Sequence, residues 1–395
     1  MMREKTSLRH SGSHSGSTSR LPLFDGLRGV LAVYVMLGHL APMLPLSPTG
    51  RRIMTALFGH GLAAVDLFFA LSGLVIVQSL ARFEGRLGAF LIARARRLLP
   101  VYYVVLIAAT ISLALPTPFA VMPWLHPGDA AHQIWAAGLP ASLGAHLLAH
   151  ILLIQGALPH HTINDVQFSL LGPAWSLSTE WQFYALIALL TLALGTKPDR
   201  LTRLVWIFLT LAVLGRVYAL SAPADWQFHR AFLPNQAGYF ALGIAAARFW
   251  RSNHAAPLFV GSLIIVTMLA ASHGATEAMH GAKALPPLAW ALMVWVQRRP
   301  DQRLTRPLVA LLNHRTTQWL GAISYPLYLL NEPIGRVTAR VIGIATHAHT
   351  LWFTLLWLPL SIGLSIGFAA MLHYQVERRF MRARRTALAM AAPAR

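Results

Sequence analysis

An arginine and a histidine stand inside a segment that is otherwise typical of a membrane helix. The segment is FDGLRGVLAVYVMLGHL, in which Arg28 and His39 are eleven positions apart. Three turns of α-helix cover that spacing, so the two side chains share one helix face at about 16 Å from each other. A guanidinium group suits a phosphate ligand, and an imidazole with a pKa near ~6.5 suits a general base at neutral pH. The pair predicts an anion-binding end and a proton-transfer end on a single helix.

Three further polar side chains lie inside apolar segments that are distant in sequence. They are Asp66 in GLAAVDLFFALSG, Glu180 in PAWSLSTEWQFYAL and Asn331 in ISYPLYLLNEP. An ionisable residue within a span costs at least about 2.5 kcal/mol on insertion scales, and such residues mark functional sites. The order of the predicted spans places all three, with His39, in the outer half of one bundle. The alternative for each side chain is an interhelical hydrogen bond that only holds the helices together.

A basic cluster opens the third predicted span in the segment RARRLLPVYY. Arg94 and Arg97 are three positions apart, so they are neighbours on one helix face. Two adjacent guanidinium groups bind phosphate oxygens bidentately, which predicts a phosphate site at the inner membrane face. Tyr102 of the same segment is counted among the candidate residues for that ligand. The alternative is plain anchoring of the helix by cytoplasmic arginines, Arg96 included.

The composition requires a membrane around these side chains. The chain has 395 residues, of which 56% are hydrophobic and only 12% charged, with a mean hydropathy of +0.53. A water-soluble protein of this length needs more surface charge, so an all-α polytopic transmembrane bundle is predicted. The formal net charge of +20 is spread over short loops, which favours membrane orientation over nucleic-acid binding. The chain contains no cysteine, which excludes disulfides, thiolate nucleophiles and cysteine metal sites.

About ten helices cross the bilayer in this prediction, and both termini are cytoplasmic. The predicted spans are residues 23–45, 61–81, 98–118, 174–194, 204–222, 233–250, 256–272, 283–297, 317–338 and 351–373. Arginine-rich loops then fall on the inner side, as the positive-inside rule expects. Residues 21–380 form the transmembrane domain, between a disordered cytoplasmic tail at 1–20 and a basic cytoplasmic tail at 381–395.

One apolar segment is too short for a span. AHLLAHILLIQGAL, residues 145–158, covers only 14 residues, so we expect it to be interfacial or re-entrant within an outer region at 121–173. His146 and His150 are one helical turn apart in this segment, a spacing that can bind a metal ion. The neighbouring sequence offers no acidic or sulfur ligand, which favours an interfacial histidine pair.

Several of these segments, in this order, resemble motifs of the type-3 membrane acyltransferases, a family that includes O-antigen acetylases and antibiotic acyltransferases. The arginine, ten residues and histidine of the first helix match, as do DLFFALSGLVI and the paired arginines followed by Pro100. WSLSTEWQFYAL is similar to the family's WSLS-plus-glutamate motif, with Trp181 in place of a second glutamate. ISYPLYLLNEP is similar to its SY-x-x-YL motif, with Asn331 where a histidine is common. The resemblance extends from Leu21 to the C-terminal tail.

The resemblance implies an inner-membrane enzyme that moves an acyl group, with acetyl expected, from cytoplasmic acyl-CoA to an extracytoplasmic acceptor. The acceptor would be a hydroxyl of a glycan or similar molecule, and no metal would take part. Arg28, Arg94, Arg97 and Tyr102 would bind the acyl-CoA. Two other classes remain as alternatives: a secondary transporter, whose midplane sites also use buried charges, and a non-catalytic membrane protein that binds acyl-CoA or lipid.

The resemblance also implies roles at the outer end of the bundle. His39 would be the general base that takes the proton of the acceptor hydroxyl. Glu180 or Asp66 would orient the imidazole and stabilise its protonated form. Asn331 or the hydroxyl of Tyr325 would donate to the thioester oxyanion. Direct transfer and an acyl-histidine intermediate both stay open.

Overall fold

The protein is an all-helical bundle in a computed structural model that describes most of the chain. The described residues are 21–81, 83, 86–195, 199–272 and 277–381, with the backbone alone described at 81 and 277–282. The predicted tail at 1–20 and residues 382–395 of the predicted C-terminal tail lie outside them. Within the described ranges, extended backbone pairs only at an isolated bridge between Pro159 and Phe228. The predicted all-α class is confirmed.

Long helices separated by short connections make up the bundle. In chain order they are α1 (Pro22–Leu40), α2 (Pro48–Phe58), α3 (Gly61–Ala81), α4 (Leu87–Ala114), α5 (Ala130–Ile134), α6 (Leu143–Ile151), α7 (Ala174–Leu194), α8 (Arg200–Ser221), α9 (Leu233–Arg251), α10 (Ala256–Ala271), α11 (Glu277–Arg298), α12 (Arg306–Asn313), α13 (Arg315–Ala345) and α14 (Thr350–Leu372). A π-helical turn, His373–Glu377, follows α14.

Seven stretches of the described chain are long and apolar enough to cross a membrane. They are built on α1, α2 with α3, α4, α7, α8, α10 and α14. The chain is therefore a multi-pass membrane protein. Helices α9, α11 and α13 occupy the three remaining predicted spans.

The third predicted span begins earlier than the hydropathy pattern indicates. Residues 82–97 are expected to form an inner loop, but α4 already begins at Leu87. Alanine, leucine and arginine are strong helix formers, so the helix continues through the basic cluster. Arg94 and Arg97 therefore project from the second and third turns of α4 into the bundle instead of from a loop.

The predicted outer region, residues 121–173, consists of short helices and loops that pack on the bundle. The limited length of its apolar segment agrees with this. Helix α6 has nine residues and rises only about 14 Å, too little to span a membrane. His146 and His150 are buried in the structure and are not exposed at an interface. His146 Nδ1 lies 2.7 Å from Ser169 Oγ, and His150 Nε2 lies 2.8 Å from the carbonyl oxygen of Val166. The two rings fasten the loop before α7 to α6.

Glycines let the helices that carry the polar residues approach closely. A Cβ on Gly29 of α1 would lie 2.6 Å from the backbone nitrogen of Gly321 in α13. A Cβ on Gly243 of α9 would lie 2.0 Å from the carbonyl oxygen of Ala70 in α3. Real side chains do not tolerate such distances, so these contacts fix the rotation of α1 and α3 about their axes. The faces that bear Arg28, His39 and Asp66 are set by them.

Helix α1 defines two ends of the bundle. We name the end at which it begins the arginine end and the end at which it finishes the histidine end. Two hydrogen bonds between helices agree with this polarity: the Tyr325 hydroxyl donates to the Leu98 carbonyl in the first halves of α13 and α4, and the Trp357 indole N–H donates to the Gly335 carbonyl near the histidine end. Helices α4, α13 and α14 are thus aligned along α1.

Candidate active site

The imidazole of His39 is held by an amide on another helix. Its Nδ1 lies 2.6 Å from Oδ1 of Asn331, although the two residues are 292 positions apart in sequence. His39 closes the last turn of α1 and is partly exposed, whereas Asn331 is fully buried in α13. The two polar side chains that the sequence places in the outer half therefore do meet.

The amide also sets the tautomer of the ring. Its nitrogen donates to the carbonyl oxygens of Tyr328 at 2.6 Å and Leu327 at 3.3 Å, on its own helix. A reversed amide would place its oxygen against these two carbonyls, so the oxygen faces His39. An amide oxygen can only accept a hydrogen bond. Nδ1 of His39 therefore carries the proton, and Nε2 keeps its lone pair. The ring is thus arranged as a base at Nε2.

Asp66 pairs with an arginine that the sequence places in an outer loop. Nη2 of Arg230 lies 2.6 Å from Oδ1 of Asp66, which is 4% exposed. The same guanidinium group lies over the indole of Trp175, with its central carbon 5.5 Å from the ring centroid. Among the described residues, the hydrogen-bond partner of His39 is the Asn331 amide, so the expected carboxylate partner, Asp66 or Glu180, is corrected to an amide.

Glu180 lies deeper in the bundle than its sequence position predicts. Its Oε1 accepts a hydrogen bond from Ser72 Oγ at 2.6 Å and another from the Tyr184 hydroxyl. Ser176, one turn before it in α7, meets the hydroxyl of Tyr328 at 3.0 Å. Tyr328 precedes Asn331 by one turn in α13, and Glu180 follows Ser176 by one turn in α7. The helical rise over these two turns places the carboxylate of Glu180 roughly 10 Å from Asn331, towards the arginine end. The predicted outer cluster of four residues therefore divides.

The arginines predicted to bind phosphate converge on one cavity together with Glu180. The cavity has a volume of about 110 Å³, and Arg28, Arg94 and Arg97 contribute to its wall. Its lining also includes Val65, Phe68, Ser72, Ser176, Tyr184, Tyr325 and Tyr328. Among the lining residues, three guanidinium groups accompany one carboxylate, and this excess of positive charge attracts an anionic ligand.

Two of these arginines are fixed by contacts from other elements. Nη2 of Arg94 donates to Ser79 Oγ at 2.5 Å. Nε of Arg97 lies 3.9 Å from Oε1 of Glu377, a buried carboxylate in the π-helical turn after α14. His373 holds the other oxygen of Glu377 at 2.7 Å. The arginine positions therefore depend on helices from both halves of the chain.

The cavity extends from the arginines towards the histidine end. Tyr328 and Ser176 line it with hydroxyls that lie 3.0 Å apart, and the Ser176 hydroxyl also donates to the Pro173 carbonyl at 3.1 Å. Asn331 is one turn beyond Tyr328 on α13, and its amide holds His39. A ligand anchored on the arginines and extended along the cavity therefore points towards the imidazole.

Tyr102 and Tyr325 take positions different from their expected roles. Tyr102 is fully buried and donates its hydroxyl to the carbonyl oxygen of His150 at 2.9 Å, outside the cavity lining. It holds α4 against α6, and its contact with acyl-CoA stays a prediction. Tyr325 lines the cavity, but its hydroxyl donates to the Leu98 carbonyl at 2.8 Å and its proton is engaged there.

Two buried ionisable residues beside the site were not predicted from the sequence. Glu332 and Arg336 are 5% and 3% exposed, and each has a side-chain atom without a hydrogen-bond partner among the described residues. A Cβ on Gly172 would lie 2.6 Å from Glu332 Oε2, so a side chain at this position would displace the carboxylate. Two ionisable residues inside a predicted span were the available signal, because such residues mark functional sites.

The comparison with known proteins agrees with this arrangement. A family model described as an acyltransferase domain matches residues 22–374, nearly the whole described chain. The chain belongs to the type-3 acyltransferase family. The predicted enzyme class, an acyltransferase acting on groups other than aminoacyl groups, is confirmed by this membership.

Relatives of this acyltransferase include two proteins that align along most of the chain. It is 26% identical to the exopolysaccharide production protein ExoZ of Rhizobium meliloti (strain 1021), over 82% of this chain and 91% of that protein. It is 28% identical to acyltransferase MdmB of Streptomyces mycarofaciens, over 92% of each. Protein 2 in the picA locus of Rhizobium radiobacter is 32% identical over 41% of this chain and 77% of its own length. No solved structure matches the acyltransferase.

Proposed function

We propose that this acyltransferase moves an acetyl group from acetyl-CoA to a hydroxyl of a glycan or similar acceptor across the cell inner membrane. The observation that carries the proposal is the cavity whose wall includes Arg28, Arg94, Arg97 and Tyr328, because Tyr328 is one helical turn before Asn331, the partner of His39. Guanidinium groups match the phosphates of coenzyme A, and the flexible arm of coenzyme A can extend from them along the cavity. The thioester would then lie near the histidine end.

The reaction follows from the tautomer of His39. Nε2 takes the proton of the acceptor hydroxyl while the hydroxyl oxygen attacks the thioester carbonyl carbon and forms the new C–O bond. The Asn331 oxygen stabilises the resulting imidazolium through the Nδ1–H bond. The tetrahedral intermediate then expels coenzyme A by C–S cleavage, and the proton passes from Nε2 to the leaving sulfur.

The oxyanion of that intermediate needs a hydrogen-bond donor that is not already engaged. The amide N–H groups of Asn331 and the hydroxyl of Tyr325 donate to backbone carbonyls instead. The Ser176 hydroxyl also donates to a backbone carbonyl, that of Pro173 at 3.1 Å, whereas the Tyr328 hydroxyl in the cavity wall hydrogen-bonds only to Ser176 Oγ, at 3.0 Å, among the described residues. We assign oxyanion stabilisation to the Tyr328 hydroxyl, whose proton can turn from Ser176 to the oxyanion.

The proposed topology has ten spans, with the arginine end and both termini in the cytoplasm. Helices α9, α11 and α13 are the spans added to the seven apolar stretches. The arginine-rich connections at the arginine end support this orientation, because basic loops stay inside. The chain has no native cysteine, so single cysteines at Thr162 and Arg303 give an unambiguous labelling test. A membrane-impermeant maleimide should label only the first in intact cells.

The activity is tested with radiolabelled acetyl-CoA and membranes that contain the acyltransferase. His39→Ala should reduce transfer to less than about a tenth, since a general base supplies at least ~10²-fold. Arg94→Ala and Arg97→Ala should raise the KM for acetyl-CoA about tenfold each, as expected for one lost charge-assisted bond. Arg96→Ala is the matched control, because Arg96 is exposed on the same helix and outside the cavity.

Sidedness is tested in the same membranes. Inverted vesicles, which present the cytoplasmic face, should use external acetyl-CoA, whereas right-side-out vesicles should not. Undiminished transfer by His39→Ala, or equal KM effects in Arg94→Ala and Arg96→Ala, would contradict the proposed site.

A further inference from the structure

The cavity that has Arg28, Arg94 and Arg97 in its wall finishes, towards the histidine end, in a wall of mostly apolar side chains. The lining residues nearest that end are Val65, Phe68 and Phe69 of α3, Ser176 and Leu177 of α7, and Tyr328 and Leu329 of α13. Five of these seven side chains are pure hydrocarbon. The other two, Ser176 and Tyr328, present hydroxyl groups. This end wall therefore carries no charge at neutral pH.

Helix α3 runs from the histidine end to the arginine end. A Cβ on Gly38, near the end of α1, would lie 2.7 Å from the carbonyl oxygen of Phe58, the last residue of α2. Helix α3 begins at Gly61, three residues later. Near its other end, Ser79 accepts a hydrogen bond from Arg94. Residues early in α3 therefore lie nearer the histidine end.

Val65 gives the depth of the end wall. Ser72 donates to Glu180 at 2.6 Å, and Val65 precedes Ser72 by seven residues, a helical rise of about 10 Å towards the histidine end. Glu180 itself lies roughly 10 Å from Asn331, towards the arginine end. Val65 is therefore at about the depth of Asn331, whose amide holds His39.

Phe68 packs against the hydroxyl-bearing side of the cavity. Its ring centroid lies 6.1 Å from that of Tyr328, with an angle of 60° between the ring planes. Val65 is three positions before Phe68, so the two side chains are neighbours on one face of α3. Asp66, the residue after Val65, lies outside the cavity lining and pairs with Arg230 at 2.6 Å. Hydrocarbon alone thus faces Tyr328 from this part of α3.

The acyl group is the terminus of acyl-CoA that lies opposite the phosphates. With the phosphates on the arginines, the flexible arm runs along the cavity and the acyl group reaches the end wall. The thioester carbon bears three groups in one plane. The sulfur continues back into the arm, and the carbonyl oxygen faces the Tyr328 hydroxyl, which we assign to the oxyanion. The third group, the acyl chain, is then directed at the hydrocarbon of Val65 and Phe68.

We propose that Val65 and Phe68 limit the length of the acyl chain, so that this acyltransferase selects acetyl-CoA over butyryl-CoA and longer donors. The whole cavity has a volume of about 110 Å³, and Val65 is 3% exposed, so the end wall is closed by packed side chains. A methyl group fits against such a wall, whereas added methylenes need space that the Phe68 ring occupies. This inference rests on the proposed transfer from acyl-CoA and names the residues that set its chain length.

Transfer from acetyl-CoA and from butyryl-CoA, measured in the same membranes, tests the inference. The wild type should favour acetyl-CoA at least about tenfold in kcat/KM, because one methylene that an apolar pocket cannot hold costs about 10- to 200-fold. Phe68→Ala removes the ring and should lower this preference at least about tenfold. Val65→Ala removes less volume and should lower it by a smaller factor.

Matched controls carry the same substitutions outside the cavity. Phe368→Ala in α14 and Val104→Ala in α4 change exposed side chains that do not line it, and both should keep the wild-type preference. Acetyl transfer that persists in Phe68→Ala shows that the variant is folded. If Phe68→Ala loses transfer from both donors, the milder Val65→Ala decides.

Binding of the two donors to the purified protein in detergent, without acceptor, separates this inference from the proposed function. The wild type should bind acetyl-CoA more tightly than butyryl-CoA, and His39→Ala should retain that difference, because His39 does not line the cavity. Undiminished transfer by His39→Ala would overturn the proposed mechanism and leave the binding preference intact. Equal use of the two donors by the wild type, or an acetyl preference that Phe68→Ala and Val65→Ala both retain, overturns the chain-length assignment even if transfer depends on His39.

Discussion

Asn331 provides the sharpest test of how His39 is activated. Replacing it by leucine keeps the branched shape of the side chain but removes the oxygen that lies 2.6 Å from Nδ1. The imidazole then has no acceptor that fixes its proton on Nδ1. Its protonated form, which arises when the acceptor hydroxyl is deprotonated, also loses its hydrogen-bond partner. We expect the chemical step to be slowed and donor binding to be preserved.

The magnitude follows from the kind of hydrogen bond that is lost. The bond is charge-assisted only when the ring is protonated, and such bonds contribute about 1.5 to 3 kcal/mol. At ~1.36 kcal/mol for each factor of ten, kcat should fall by about 10- to 150-fold. The arginines lie at the other end of the cavity, about 16 Å away along α1, so the KM for acetyl-CoA should change by less than about twofold.

Steady-state transfer from radiolabelled acetyl-CoA in membranes measures both constants. Asn331→His serves as a rescue variant, because a ring nitrogen can accept the same N–H and a histidine is common at this position of the motif. Asn313→Leu, at the exposed end of α12, controls for an asparagine-to-leucine change elsewhere. If Asn331→Leu is abundant in the membrane and keeps kcat within about threefold, the assignment of the tautomer to Asn331 is wrong.

Two further outcomes test the arginine end and the outer loops. Glu180→Gln removes the carboxylate from the arginine-lined cavity, so the KM for acetyl-CoA should fall by roughly fivefold, which corresponds to ~1 kcal/mol of added attraction at an effective dielectric of 20. A fall in kcat with unchanged KM would instead show that Glu180 stabilises His39. Burial, with a smaller contribution from the stacked ring of His160, lowers the pKa of His229 to about 4. The unfolded value is about 6.5, so stability is fully present above pH 6.5 and is lost as the pH falls towards 4. His229→Phe should therefore show a smaller drop in Tm between pH 7 and pH 4, and identical slopes would show that another group causes the drop.

Hydropathy determined the helical architecture and the order of the elements. Apolar stretches such as residues 61–81 and 174–194 coincide with α3 and α7, because each is limited by polar residues or turn formers. The same pattern failed at the start of α4, where arginines continue the helix. A hydropathy plot assigns an arginine-rich segment to a loop. Inside the bundle, however, Arg94 is hydrogen-bonded to Ser79 and Arg97 lies near Glu377, so the helix continues through both arginines.

Motif resemblance selected the family and several residues of the arginine-lined cavity, among them Arg28, Arg94 and Arg97. The predicted depths of the spans placed His39 and Asn331 in the same half of the bundle, and the structure pairs them. Those depths could not distinguish between the carboxylates, because Asp66 and Glu180 have similar distances from the starts of their helices.

By itself, therefore, the sequence determined which helices form, which end of α1 is basic and which family the motifs resemble. Only the tertiary structure decided which residues are partners, such as Glu180 with Ser72 and Asp66 with Arg230. Depth along a helix follows from position in the chain, since each residue rises by a fixed ~1.5 Å. The offset and rotation of one helix against another depend on close contacts such as Gly243 with Ala70, which arise only when distant segments pack.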